Sequence, residues 1–91
     1  MAIAAPAAVF DLHGLSVLDA VASAEQFLRA QRRARPGATV RLITGRGRSG
    51  GGAPVRTRVR TLLRTLEAQG NVVRHFELET SEGSFLVRLA G

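Results

Sequence analysis

Thr39-Val40-Arg41-Leu42-Ile43-Thr44-Gly45-Arg46-Gly47-Arg48-Ser49-Gly50-Gly51-Gly52 is the stretch that decides the fold. Its first six residues form a short β-branched run in which Val40 and Leu42 alternate with Arg41, the period of a strand with one buried face. Gly45 to Gly52 break that strand. Pro54 then suits the first turn of a helix, and Val55, Val59, Leu62 and Leu66 mark its apolar stripe. A strand running through a glycine-rich loop into a helix is half of a parallel β-α-β unit.

Upstream, Ala8 to Leu12 reads as a first strand that Gly14 ends. Ser16-Val17-Leu18-Asp19 resembles a capping box, and Val17, Val21, Ala24 and Leu28 follow at helical spacing to about Ala34. Pro36-Gly37 stops this helix after a run of arginines that suits the negative end of its dipole. Downstream, Gly70 is a natural C-cap. Asn71 to Glu79 and Ser84 to Leu89 then make two strands joined by a short turn. In the former, Val72, Phe76 and Leu78 should face the helices, with His75, Glu77 and Glu79 facing away.

The predicted order is βαβαββ. Helical crossovers set strands one, two and three parallel with right-handed connections, and the last strand closes an antiparallel hairpin. Both helices then lie on one face of a four-stranded mixed sheet, an α/β (α+β) two-layer sandwich whose other sheet face is open. Residues 1–7 read as a flexible leader and 8–91 as a single domain.

Ninety-one residues suffice for one modest core and exclude multi-domain enzymes and dinucleotide-binding folds. The charge is +6 at pH 7, and all thirteen basic residues are Arg. A small basic domain has nucleic acid as its leading partner, and the Arg fork suits phosphate oxygens. With no cysteine there is no disulfide, thiolate nucleophile or cysteine zinc site, which fits a reducing cytoplasm. No apolar run is long enough for a membrane span. A monomer is expected.

Two segments can carry chemistry. In Phe10-Asp11-Leu12-His13-Gly14, Asp11 and His13 point to the same side of an extended chain. A carboxylate beside an imidazole can fix its tautomer and raise its basicity, as a general base requires; the plainer reading is that Asp11 caps a turn. In Thr44 to Gly52, glycines let backbone N–H groups approach an anion and the following helix start adds partial positive charge. Arg46 and Arg48 sit in that loop, a phosphate cradle in charge and backbone. Its literal G-x-G-x-x-G is not a dinucleotide fingerprint, because the helix starts late and the chain lacks the paired halves of that fold. Both segments follow parallel strands, so Asp11 and His13 should face the Arg46 loop across one crevice at the carboxyl edge of the sheet.

Asp11-Leu12-His13-Gly14 and Thr44-Gly45-Arg46-Gly47, in register with this element order, resemble the small MutS-related (Smr) domain over nearly the whole chain. The resemblance implies a sandwich similar to the C-terminal domain of translation initiation factor three, and endonuclease activity on DNA or RNA. Its Asp-x-His element falls on Asp11 and His13. Its Thr-Gly-x-Gly element falls on Thr44 to Gly47, with Arg46 in the variable place that is associated with RNA cleavage. The family's usual glycine pair before the last strand is replaced by Ser81-Glu82-Gly83-Ser84.

The expected catalytic set is His13 as general base, Asp11 steering it, and Arg46 stabilising the phosphorane. Thr44, Gly45, Gly47, Arg48, Ser49, Arg56 and Arg60 are expected to contact nucleic acid. Arg56, Arg60 and Arg64 form a stripe that reads either as a solvated helix face or as a phosphate track. No metal ligand set is read from the sequence; Mg²⁺ held through Asp11, phosphate and water is the lesser route, since one carboxylate is a poor Mg²⁺ site. His75 and Glu77 share the open face and read first as solvated positions. The alternatives are a non-catalytic DNA- or RNA-binding module of a repair or translation-quality-control system, and an interaction domain docking on a repair or ribosome-associated partner. The retained imidazole favours the enzyme.

Overall fold

The structure is a computed structural model and describes residues 5–45, 52–80 and 83–91. Six elements follow in the predicted order: β1 (Ala8–Asp11), α1 (Val17–Ala34), β2 (Thr39–Ile43), α2 (Gly52–Gln69), β3 (Val73–Leu78) and β4 (Ser84–Leu89). The sheet order is β1-β2-β4-β3, with β1 and β2 parallel and β4 antiparallel to both β2 and β3. β3 therefore runs in the direction of β1 and β2, with the return strand β4 inserted between. Pairing begins before β1, since the Ala7 amide donates to Thr39 O at 2.8 Å.

Local chemistry bounds the first helix. The Ser16 hydroxyl accepts from the Asp19 amide at 3.1 Å, which satisfies one otherwise unpaired N–H of the first turn. At the other end the Arg35 amide donates to Gln31 O at 2.7 Å, and Gly37 turns the chain with φ +79°.

Val40, Leu42, Phe85, Val87 and Leu89 are buried on one face of the sheet and form one cluster with Ala20, Ala24 and Leu28 of α1 and Val55, Val59, Leu63 and Leu66 of α2. Both helices thus cover a single face. The opposite face carries Val9, Asp11, Thr39, Arg41, Ile43, Leu86 and Arg88, none of them fully buried.

Three details differ from the predicted pattern. On α2 the fully buried position is Leu63, while Leu62 is partly buried at the margin of the core. On α1 the buried line is Ala20, Ala24 and Leu28, with Val17 and Val21 flanking it. Two of those three residues are alanines, whose small side chains take up little room in the core. The third difference is in β3, where the register steps from Val73↔Leu89 to His75↔Arg88. This irregularity turns Val73 inward and leaves Arg74 exposed, although Arg74 shares its parity with the inward-facing Phe76 and Leu78. A regular strand would have buried the guanidinium. No helix among the described residues is long and apolar enough to cross a membrane.

Candidate nucleic-acid cleavage site

The site begins where β1 ends. Leu12 is fully buried, and its amide donates to Ile43 O at 2.7 Å, which extends the parallel pairing one residue past the strand. Alternation about this anchor leaves Asp11 and His13 exposed on either side of it. The Asp11 Oδ1 accepts from the His13 backbone amide at 2.8 Å, the Asx-type bond of a tight turn. Asp11 therefore acts on His13 through the main chain, placing the residue that carries the imidazole.

β2 ends beside it. Gly45 adopts φ +85°, and a Cβ built there would lie 3.6 Å from Cδ2 of His13. The Asp-x-His turn and the Thr-Gly turn therefore lie side by side at the ends of neighbouring parallel strands. Arg46, Gly47, Arg48 and Ser49 lie outside the described residues.

Thr44 lies inside the protein at the base of the loop. It is 1% exposed. Its amide donates to Gly83 O at 2.9 Å, and its hydroxyl lies 3.3 Å from Gly45 O and 3.5 Å from Gly83 O. The Gly45 amide also donates to Gly83 O, at 3.0 Å. Both N–H groups are spent inside the protein, so Thr44 and Gly45 shape the root of the loop.

Gly83, which belongs to the β3–β4 turn, joins the site although no sequence motif marks it. Behind it sits a charged cluster also absent from the sequence reading. Arg41 grips Glu79 with two bonds, Nε to Oε1 at 2.8 Å and Nη2 to Oε2 at 3.1 Å, and the Ser84 hydroxyl donates to Glu79 Oε1 at 2.5 Å. The Ser84 hydroxyl above all, with the Arg41 bond and charge, holds the Glu79 carboxyl below its ordinary range against the opposing effect of burial. A Glu and a Ser flanking a hairpin turn, with an Arg in the neighbouring strand, was the available signal.

His75 and Glu77 lie on β3, separated from β1 by β2 and β4. At about 4.8 Å per strand this puts them roughly 14 Å from the His13 edge, too far to join its chemistry. His75 instead has Nδ1 3.7 Å from Glu67 Oε2 of α2. Arg56 and Arg60 are half-buried on the flank of α2 next to its core stripe, and Arg64 is exposed. Among the described residues no group of three or more His, Asp or Glu side chains converges as a metal site.

Fold and site define a two-layer α+β domain with its exposed imidazole at the C-terminal ends of a parallel strand pair. The family model described as the Smr domain matches residues 10–90, and the chain belongs to that family. It is similar to the crystal structure of the Smr domain of Thermus thermophilus MutS2, with 30% sequence identity, coverage of 91% of this chain and 98% of that one, and a TM-score of 0.72. No curated protein matches. Smr domains are associated with nucleic-acid binding and nuclease roles.

Proposed function

We propose that this chain is a Smr-type endonuclease that cleaves phosphodiester bonds in RNA or DNA. The observation that carries the reading is the exposed His13 imidazole set against the root of an arginine- and glycine-rich loop. His13 takes the proton from the attacking oxygen. In RNA that oxygen is the neighbouring 2′-hydroxyl; it bonds to phosphorus as the bond from phosphorus to the 5′-oxygen breaks, and the departing 5′-oxygen takes a proton from water, giving a cyclic phosphate and a new 5′-hydroxyl. In DNA the attacking oxygen is that of water. Arg46 and the loop amides beyond Gly45 hold the phosphate and stabilise the added charge of the phosphorane. Asp11 fixes the turn from which His13 projects.

The test is incubation of the purified chain with labelled single-stranded RNA and with supercoiled plasmid, with Mg²⁺ or with EDTA, beside a His13→Ala control. RNA cleavage that survives EDTA and falls by about 10²–10⁴-fold in His13→Ala supports the general-base role. Plasmid nicking that needs Mg²⁺ moves the substrate to DNA and makes Asp11 a metal ligand. A second reading, a binding module without catalysis, is favoured by one observation: the Asp11 bond to the His13 amide explains the turn without any chemistry. Salt-sensitive binding with no cleavage of either substrate would select it.

A further inference from the structure

We infer that Arg41, Glu79 and Ser84 form a positioning unit that holds the Gly83 carbonyl in place and, through it, the Thr44-Gly45 turn against His13. The inference rests on the endonuclease reading for its catalytic consequence, but not for its geometry. Arg41 on β2 reaches across β4 to Glu79 just past the end of β3, so the ion pair ties three strands together at one end of the sheet. The β3–β4 turn is closed twice at that end, by the Glu79 amide donating to Ser84 O at 2.9 Å and by the Ser84 hydroxyl donating to the Glu79 carboxylate. Gly83 immediately precedes Ser84, and its carbonyl is the shared acceptor for the Thr44 and Gly45 amides.

The chain of contacts therefore runs from a bidentate charged pair, through a hairpin turn, to the backbone beside the imidazole. A bidentate guanidinium–carboxylate pair fixes direction as well as distance, which suits it to hold a turn that a single neutral bond would leave loose. The cluster is also placed where positioning is needed. Ser84 pairs with Ile43, the residue that precedes Thr44 and accepts the Leu12 amide at the other side of the site. None of the three side chains is placed in contact with substrate, so their effect is on geometry.

Glu79→Gln keeps the side-chain size and removes the charge; Ser84→Ala removes the turn-closing hydroxyl. Amide hydrogen exchange at Thr44 and Gly45 should speed up roughly tenfold more, in either variant, than exchange at amides in the middle of β2 and β4. In parallel, kcat should fall roughly tenfold with KM within about twofold, the split expected when the reacting geometry loosens and binding does not. Wild-type exchange at Thr44 and Gly45 would overturn the proposal, as would an equal acceleration of every amide, which would mark the cluster as general stabilisation only. Loosened amides with unchanged kcat would overturn its catalytic consequence. If the wild-type chain cleaves neither RNA nor DNA, the exchange measurement still decides the positioning claim, and the endonuclease reading falls separately.

Discussion

A methyl group built on the α-carbon of Gly45 would meet Cδ2 of the His13 imidazole at 3.6 Å. The distance is an ordinary van der Waals contact, so space does not demand a glycine. The backbone does: φ at Gly45 is +85°, a conformation costly for any residue with a Cβ.

Gly45→Ala should therefore destabilise the fold by about 1 kcal/mol and lower Tm by about 4–8 °C. Because the cost is conformational, removing the ring should not relieve it. Thermal unfolding of Gly45→Ala, His13→Ala and the double variant checks this. A double variant as stable as His13→Ala alone would show that the glycine is needed for room instead.

Arg46→Ala should weaken transition-state stabilisation by about 3 kcal/mol, a loss of roughly 10²-fold in single-turnover cleavage, by analogy with removal of one oxyanion donor. Substrate binding should change far less. Cleavage at the wild-type rate would exclude the phosphorane-stabilising role.

Stability should depend on pH through Glu79. Its carboxyl is held below the ordinary value of 4.5 by the Ser84 hydroxyl and by Arg41, so the folded state favours the ionised form. That contribution is present above about pH 4.5 and is lost as pH falls through the lowered folded value. Glu79→Gln should be less stable than wild type at pH 7, by about 1 kcal/mol for a partly exposed pair, and the gap should close towards pH 3. Denaturant unfolding across that range is the measurement, and a gap that stays constant with pH would remove the carboxylate from the account.

The α2 arginines make a prediction about salt. If Arg60 and Arg64 track the phosphate backbone, Arg60→Gln and Arg64→Gln should each flatten the slope of log K against log salt by about 0.7–0.9. Filter binding on one RNA at several salt concentrations reads this directly. Unchanged slopes would make the stripe a solvated helix face.

Much of this molecule was legible in its residues because the signals are local. Strand alternation at Val40 and Leu42, the Ser16 cap, and the glycines at positions 37 and 70 act over a few bonds, so element order followed from them. The meeting of His13 with the Thr44-Gly45 turn was legible too, since a right-handed helical crossover leaves two parallel strands ending side by side.

Tertiary structure decided what depends on register and approach between distant segments. Arg74 has the parity of an inward residue, and only the slip in β3 pairing against β4 puts it in solvent. Thr44 has the composition of a phosphate contact, yet docking of the β3–β4 turn buries it and consumes its amide. The Arg41–Glu79–Ser84 cluster is assembled across three strands: Glu79 and Ser84 flank one hairpin turn, but Arg41 reaches them only once β2 is paired with β4. By itself the sequence determined which elements form, in what order, and which two turns would meet, because those follow from short-range backbone chemistry and crossover handedness. Which polar groups remain free at that meeting point was settled by the sheet, because hydrogen-bond partners from another strand are assigned only once the strands are in register.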